Sequence, residues 1–254
     1  MEILITGGNG YIAKSLAKGL KEHNITSITR QDFDLTNKDF TNSWFGGKYF
    51  DIVIHTAMAG TRSRLNPDNE DTFYQNIQMF YNLYYNKHCF GKFIHLGSGA
   101  ELNNPNDPYG MSKKIINELI KPEPGFYNIR IFGVFDENEL NTRFIKTSIN
   151  KYLNKEPIII HQNRQMDFFY MGDLIKLLKY YIEEPNLPKI AECRYNHQYN
   201  LLDIAHLINN LSDYKVPIKQ LDSTIGSSYI GKTYTDLPYI GLEKGIQEVY
   251  NIIK

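Results

Sequence analysis

The chain has 254 residues, which fits one large or two small domains and allows a core without disulfides or a structural metal. Lys and Arg total 28, as do Asp and Glu, and this zero formal net charge argues against a general nucleic-acid binder. Cys89 and Cys193 lack metal-ligand spacing, so no metal site is expected. With no apolar run near ~20 residues and no signal-peptide pattern, we expect a cytoplasmic protein that does not enter a membrane.

Apolar runs alternate with helical patterns through the first half of the chain. Strands are predicted at 2–6, 25–29, 51–55, 92–96 and 128–132. Helical spacing follows the first strand and recurs over 68–87 and 109–120. Such alternation is typical of right-handed βαβ units, so we predict an α/β fold with a Rossmann-type, doubly wound parallel sheet.

The alternation loosens after residue 134. Helices are predicted near 144–153, 171–183, 201–211 and 242–253, and short strands at 157–160 and 191–195. We therefore place a dinucleotide-binding domain at 1–134, with later segments returning to its sheet. Residues 135–254 are expected to form mainly a small α/β substrate-binding portion.

A glycine-rich turn follows the first predicted strand. Gly7, Gly10 and Ala13 fit the pattern G-x-x-G-x-x-A. Gly7 permits the tight turn, Gly10 allows a pyrophosphate to approach the backbone, and Ala13 lets the helix pack on the strand. We predict dinucleotide binding here, with Tyr11 and Ile12 among the cofactor contacts.

The residues after the second and third strands predict which dinucleotide binds. NAD sites usually place an acidic residue at the end of the second strand, whereas this chain has Arg30. Because an arginine can pair with a 2′-phosphate, we favour NADP and keep NAD as the alternative. Asp34 and Leu35 are predicted at the adenine edge, and Ala57 and Ala59 are expected to let the cofactor pass closely.

Three further residues predict proton-transfer chemistry. Tyr109 and Lys113 are four positions apart on a predicted helix and therefore share a face. A nearby ammonium lowers the pKa of a tyrosine hydroxyl, which ordinarily lies near 10. Ser98 follows the fourth strand, at the sheet edge where ligands bind in open α/β sheets. We predict that Ser98, Tyr109 and Lys113 are catalytic, and that Tyr109 and Lys113 also contact the cofactor.

Several segments together resemble the extended short-chain dehydrogenase/reductase family, the NAD-dependent epimerase/dehydratase group. They are TGGNGYIA, DIVIHTAMAG, YQNIQMFYNLY with Asn76, LGSG, YGMSK, MDFFYMGDL and YNHQYNLLDIAHLIN. The resemblance spans nearly the whole chain, and it implies hydride transfer at a carbon of a nucleotide-diphosphate sugar. It also implies a homodimer built from the helices at 68–87 and 109–120. TRQDFDLTN, which contains Arg30, resembles the cofactor-selecting segment of NADP-dependent 4-keto nucleotide-sugar reductases such as GDP-fucose synthase.

Departures from the family pattern reduce the number of reactions that the chain is expected to catalyse. The 4,6-dehydratases carry Asp-Glu after the catalytic Ser or Thr, where this chain has Gly99 and Ala100. GDP-fucose synthase epimerises with a cysteine and a histidine, and the corresponding positions here are Ala100 and Arg143. The phosphate-binding arginine of many relatives is replaced by Met166, with Arg164 two residues earlier. We therefore list Arg143 and Arg164 as candidate substrate contacts.

The main hypothesis is an NADP-dependent reductase of a nucleotide-activated 4-keto sugar. The alternatives are an epimerase that holds NAD tightly and a cofactor-binding family member without activity. His55 and His95, at the ends of apolar strands, are interpreted as core residues rather than as catalytic or metal-binding groups.

Overall fold

The computed structural model describes residues 1–60 and 68–254, which form two compact units. The first unit comprises Met1–Arg130 and Leu178–Ala191. The second comprises Ile131–Leu177 and Glu192–Lys254.

Strands and helices alternate through the first part of the chain. In order they are β1 (Glu2–Thr6), α1 (Tyr11–Gly19), β2 (Asn24–Ile28), α2 (Lys38–Phe45), β3 (Phe50–His55), α3 (Glu70–Tyr85), β4 (Phe90–Ser98), α4 (Ala100–Asn103), α5 (Pro108–Ile120) and β5 (Phe126–Ile131). A 3₁₀ turn, Lys87–Cys89, connects α3 to β4.

The elements after β5 are shorter and less regular in order. They are β6 (Val134–Phe135), α6 (Phe144–Leu153), β7 (Ile158–Asn163), β8 (Phe169–Tyr170), α7 (Met171–Glu183), β9 (Ile190–Cys193), α8 (Leu201–Asn209), β10 (Ile218–Ile225) and α9 (Leu242–Ile253).

The central sheet has the strand order β2-β1-β3-β4-β5-β9. β1 pairs in parallel with both β2 and β3, and β3 pairs in parallel with β4. The predicted Rossmann-type, doubly wound sheet is therefore confirmed. The chain runs outward from β1 to β2 and then crosses back to β3, which makes β1 and β3 the topological switch point. Ligands bind beyond the carboxyl ends of the strands at such a point.

Each unit has its own apolar core. In the first, Leu4, Val53 and Phe93 of the sheet pack with Phe80 of α3 and Ile116 of α5. In the second, the buried residues come mainly from α6, β7, α8 and α9 and are Ile145, Ile149, Tyr152, Ile158, Ile204, Ile208, Ile246, Val249 and Tyr250. Among helices in the described ranges, none has the length and apolarity that a membrane span requires.

Five strands and helices of the described residues were not predicted from the sequence: α2, α4, β6, β8 and β10, of which α4, β6 and β8 are only two to four residues long. β10 pairs in parallel with β7, but its residues from Lys219 to Ile225 are exposed and mostly polar, so they lack the apolar alternation of a half-buried strand. α2 buries only Thr41 and Phe45, which leaves little helical periodicity to read. The Asn37 side chain accepts a hydrogen bond from the Phe40 N–H and begins that helix.

Candidate active site

The glycine turn lies at the switch point of the sheet. Gly7 has φ +73°, and a Cβ there would lie 2.8 Å from the Ala57 Cα atom after β3. Only glycine therefore fits this close approach of two chain segments. The Gly8 N–H donates to the Ile28 carbonyl at 2.8 Å, and the Gly10 N–H donates to the Gly7 carbonyl at 2.8 Å. These bonds fix the path of the chain from β1 into α1.

The N-terminus of α1 is suited to an anion. Gly10 precedes the helix and has no side chain to cap it, and the first turn, from Tyr11 to Lys14, has no acidic residue. The N–H groups that begin a helix and the helix dipole favour a negatively charged group at this end. Tyr11 and Ile12 are partly buried there, and Ala13 is fully buried against the sheet. The turn therefore fits the diphosphate of a dinucleotide.

A cleft of about 420 Å³ opens beside this turn, within the first unit. Its walls include seven predicted cofactor residues, Gly7, Gly10, Arg30, Asp34, Leu35, Ala57 and Ala59. Phe33, Thr36, Met58, Gln75 and Met79 also line it and were not predicted from the sequence. A concave, largely apolar cavity with a few polar groups is typical of a cofactor site.

Arg30 and Asp34 form an ion pair at this cleft. The Arg30 side chain is 74% exposed, and its Nη2 atom lies 3.1 Å from the Asp34 carboxylate. Partial burial raises the pKa of Asp34, but hydrogen bonds from Thr36 and the charge of Arg30 outweigh this effect and hold that pKa below its ordinary value. Asp34 is therefore an anion that restrains the guanidinium beside the cleft.

Asn76 of α3 fixes the chain after β3. Its side chain accepts a hydrogen bond from the Ala59 N–H at 2.7 Å and donates to the Ala59 carbonyl at 3.2 Å. It also donates to the Ser112 hydroxyl at 3.2 Å, and that hydroxyl donates to the Tyr109 carbonyl at 2.7 Å. One buried amide thus connects the cleft wall to the helix that carries Tyr109.

Tyr109 and Lys113 lie in the first half of α5. The Asp107 side chain accepts a hydrogen bond from the Gly110 N–H, and Pro108 occupies the first turn, so the helix begins immediately before Tyr109. The Tyr109 hydroxyl lies 3.9 Å from the sulfur of Met58, a cleft residue. The Lys113 Nζ atom is 5.8 Å from the centre of the Tyr109 ring.

The Lys113 ammonium is buried among polar groups, with only 3% of the residue exposed. Its Nζ donates to the Leu96 carbonyl at 2.8 Å and lies 3.4 Å from Nε2 of His95. Burial lowers the pKa of Lys113 to about 8, although the charge of Glu101 acts in the opposite direction. Lys113 therefore loses its proton in a mildly alkaline pH range.

His55 and His95 are both almost fully buried, and His95 is the one that contacts Lys113. The His55 Nδ1 atom lies 2.8 Å from the Thr6 hydroxyl, and the two imidazole rings are 5.4 Å apart. Burial and the Lys113 charge lower the pKa of His55 to about 3 and the pKa of His95 well below its ordinary value. Both rings are therefore neutral at physiological pH.

Ser98 ends β4 and is buried. Its hydroxyl accepts a hydrogen bond from the Ala100 N–H at 3.2 Å, and its own N–H donates to the Glu101 carboxylate at 2.9 Å. The contact with Glu101 was missed from the sequence. A charged residue, Arg130, inside the apolar run that forms β5 was a signal that a buried acidic partner existed.

The two candidate substrate contacts belong to the second unit, whereas Ser98, Tyr109 and Lys113 belong to the first. Arg143 immediately precedes α6 and is exposed, and its carbonyl accepts a hydrogen bond from the Thr147 N–H at 2.8 Å. Arg164 follows β7 and is exposed, and its carbonyl accepts from the Leu201 N–H at 3.0 Å. Met166 packs against the core of that unit.

Residues 3–201 match the NAD dependent epimerase/dehydratase family. The chain belongs to that family. It is therefore an NAD(P)-dependent enzyme of the extended short-chain dehydrogenase/reductase type, as the sequence resemblance implied.

Individual proteins agree with this membership. The chain is 24% identical to CDP-abequose synthase of Yersinia pseudotuberculosis, over 73% of this chain and 75% of that protein. It is 25% identical to a Methanocaldococcus jannaschii protein assigned as a UDP-glucose 4-epimerase, over 99% of this chain and 98% of that protein. The fold resembles the GDP-mannoheptose C4 reductase of Campylobacter jejuni with a TM-score of 0.78 and 16% identity, over 99% of this chain and 98% of the other.

Proposed function

We propose that the protein is an NADP-dependent reductase that converts the 4-keto group of a nucleotide-activated deoxy sugar to an alcohol. The observation that carries this proposal is the set Ser98, Tyr109 and Lys113, buried in the first unit, with Gly99 and Ala100 after the serine. Those two residues provide neither the acid and base of a dehydratase nor a thiol for epimerisation. The similarity to proteins named for nucleotide-linked sugars, among them a C4 reductase, supports this substrate class.

The first unit would hold the cofactor. Gly7, Gly10 and the N–H groups that begin α1 would bind the diphosphate, and Arg30 would pair with the 2′-phosphate of NADP. When bound, the reduced nicotinamide supplies the hydride that adds to the carbonyl carbon. Lys113 would donate hydrogen bonds to the nicotinamide ribose.

Tyr109 would supply the proton of the reaction. As the C=O π bond breaks, the oxygen takes up the hydroxyl proton of Tyr109, and a C–H and an O–H bond result. The Ser98 hydroxyl would donate a hydrogen bond to the same oxygen and orient it. The Lys113 ammonium favours the tyrosinate that remains, because a nearby positive charge lowers the pKa of a tyrosine.

The second unit would bind the nucleotide-diphosphate sugar. Arg143 and Arg164 are proposed contacts for its phosphates, since both present exposed guanidinium groups and an arginine can pair with phosphate oxygens in two parallel hydrogen bonds.

The reaction is tested by following NADPH oxidation with CDP-, GDP-, UDP- and dTDP-linked 4-keto sugars. With the accepted substrate, Tyr109→Phe is expected to lower kcat by at least about 100-fold, because general acid catalysis contributes on that order. NADPH binding, measured by fluorescence, should be retained. Tyr49→Phe, at a side chain on the exposed surface, is the matched control and should leave kcat unchanged. Full turnover by Tyr109→Phe would contradict the acid role.

A second candidate is an epimerase that holds NAD tightly. It is favoured by the end-to-end similarity to the protein assigned as a UDP-glucose 4-epimerase. Such an enzyme would purify with bound NAD and interconvert nucleotide sugars without added cofactor. The absorbance of cofactor released from the purified protein distinguishes this candidate from the reductase.

We also propose that two copies associate through α3 and α5. α3 presents three exposed tyrosines, Tyr74, Tyr81 and Tyr85, and α5 presents Met111 and Ile115. Such a cluster of large apolar side chains is typical of a contact surface.

A further inference from the structure

A buried histidine contacts the candidate catalytic lysine. His95 lies in β4 with 0% of the residue exposed, and its Nε2 atom is 3.4 Å from the Lys113 Nζ atom. The next residue along the strand provides a second acceptor, since the Leu96 carbonyl accepts a hydrogen bond from Nζ at 2.8 Å. Two consecutive residues of β4 therefore hold the ammonium, one through its side chain and the other through its main chain.

The chemistry of the two groups decides which one donates. A lysine ammonium has three N–H donors and no acceptor, whereas a neutral imidazole has one protonated and one unprotonated nitrogen. His95 is neutral at physiological pH because burial lowers its pKa well below the ordinary value, and Lys113, with a pKa of about 8, is mostly charged there. Nε2 of His95 is therefore the unprotonated nitrogen, and the ring proton lies on Nδ1.

This tautomer of His95 is unfavourable for the fold. In the part of the chain that the structure describes, the buried Nδ1 atom has no hydrogen-bond partner. A buried N–H without a partner loses its contact with water and gains nothing in return, whereas the ring of a phenylalanine would fill the space without that penalty. Since stability alone does not favour an imidazole at this position, the contact with Lys113 points to a role at the site.

The histidine on the neighbouring strand has a different partner. His55 of β3 is paired in register with His95, and the two imidazole rings are 5.4 Å apart. The His55 Nδ1 atom lies 2.8 Å from the Thr6 hydroxyl oxygen, which accepts a hydrogen bond from the Ala57 N–H at 3.1 Å. His55 is thus part of the contacts that hold the cleft wall, whereas His95 contacts the lysine.

We propose that His95 is a positioning residue of the active site, whose Nδ1-protonated ring presents Nε2 as the acceptor that fixes the Lys113 ammonium on the side of β4. With two N–H groups of Lys113 bonded to this strand, the third would bond the nicotinamide ribose. This inference rests on the proposed role of Lys113. It predicts that the lysine sets the tautomer of His95, and that an acceptor at position 95 is needed for full turnover.

The tautomer is measured in the cofactor-free protein at neutral pH. Imidazole nitrogens labelled with ¹⁵N are observed by NMR, and the His95 signals are assigned as those missing from His95→Gln. The natural protein should show a protonated Nδ1 and an unprotonated Nε2. In Lys113→Met the donor is gone, so the population should shift toward protonated Nε2. Lys114→Met, at an exposed lysine of the same helix, is the matched control and should leave the His95 signals unchanged.

A His95 ring protonated on Nε2 in the natural protein, or a tautomer balance that Lys113→Met leaves unchanged, overturns the inference. Because this measurement needs no substrate, it is independent of whether any 4-keto sugar is reduced.

Turnover of the accepted substrate tests the need for an acceptor. His95→Phe should lower kcat by about 10-fold, the scale of one hydrogen bond to a charged group, and change the KM for the sugar nucleotide by less than about threefold. His95→Gln places an amide oxygen near the position of Nε2 and should recover most of kcat. A glutamine variant no more active than the phenylalanine variant overturns the positioning role, since a merely structural histidine would not be rescued by an acceptor.

Discussion

At the scale of single residues, Arg30 and Asp34 favour different cofactors. Asp34 is the kind of carboxylate that binds a ribose 2′-hydroxyl, whereas Arg30 is the kind of side chain that binds a 2′-phosphate. Both line the cleft, and they contact each other at 3.1 to 3.3 Å. Under the proposed NADP binding, the 2′-phosphate and the Asp34 carboxylate would share the Arg30 guanidinium, which is 74% exposed.

The preference for NADP is tested with Arg30→Ala. We expect the KM for NADPH to rise by about 10- to 100-fold, because hydrogen bonds to charged groups contribute roughly 1.5 to 3 kcal/mol. The KM for NADH should change by less than about threefold, since NADH has no 2′-phosphate for Arg30 to bind. Arg30→Lys keeps the positive charge but cannot form two parallel hydrogen bonds. Its KM for NADPH should therefore lie between that of the natural protein and that of Arg30→Ala. An equal rise in both constants would assign Arg30 a role unrelated to the 2′-phosphate.

Lys113 should also influence the pH dependence of stability. Its folded pKa of about 8 lies below the ordinary lysine value of 10.5, so the unfolded chain binds more protons between these values. Stability therefore rises with pH across this window as the penalty for burying the ammonium is relieved. Integrated, the effect is about 3 kcal/mol.

Lys113→Met tests this by removing the charge with little change in shape. Below pH 8 the variant should be more stable than the natural protein in urea unfolding. The difference should shrink as the pH approaches 10.5. A difference between the two proteins that stays constant over this window would show that Lys113 has an unperturbed pKa.

At the scale of elements, the site depends on how α3 and α5 hold the loop after β3. Asn76 of α3 makes two hydrogen bonds to Ala59 in this loop and one to Ser112 of α5, and it is 2% exposed. Within residues 1–60 and 68–254, the Ala59 N–H and carbonyl have no strand partner to replace that amide, because the pairings of β3 end at His55. Loss of the side chain therefore affects both the helix packing and the cleft wall.

Asn76→Ala is expected to lower the free energy of unfolding by about 2 to 3 kcal/mol, because buried hydrogen-bonding groups lose their partner. It should also weaken NADPH binding, since Ala59 lines the cleft. Chemical denaturation and cofactor titration measure the two effects. Asn251→Ala, at an exposed position in α9, is the matched control. Unchanged stability of Asn76→Ala would contradict this role.

Some elements and contacts could be predicted from the sequence, and others could not. β1, β3 and β4 were predictable because parallel strands buried on both faces appear as apolar runs. The turn with Gly7 and the pair Tyr109 and Lys113 were readable because each motif is local in sequence. The contact of Glu101 with Arg130 spans 29 positions, and no local pattern specifies it. β10 was missed because its stabilising contacts are backbone pairs to β7 rather than buried side chains.

At the scale of the whole molecule, the exposed face of α3 supports the proposed association of two copies. The aromatic helix α3 divides into two faces: Phe80 and Leu83 are fully buried in the core, whereas Tyr74, Tyr81 and Tyr85 are 49 to 62% exposed. These tyrosines recur at spacings of seven and four, so they share one face of the helix. α3 packs against α5, whose Met111 and Ile115 are also exposed.

We expect sedimentation equilibrium to give twice the chain mass of 29.6 kDa for the natural protein. The double variant Tyr81→Arg and Ile115→Asp should give the single mass, because charges placed in an apolar contact oppose its burial. Both substitutions are at exposed positions, so the fold of each chain should be retained, as judged by circular dichroism. Leu140→Asp, an exposed apolar residue of the second unit, is the matched control and should remain dimeric. A natural protein that sediments as a monomer at micromolar concentration would contradict the proposed association.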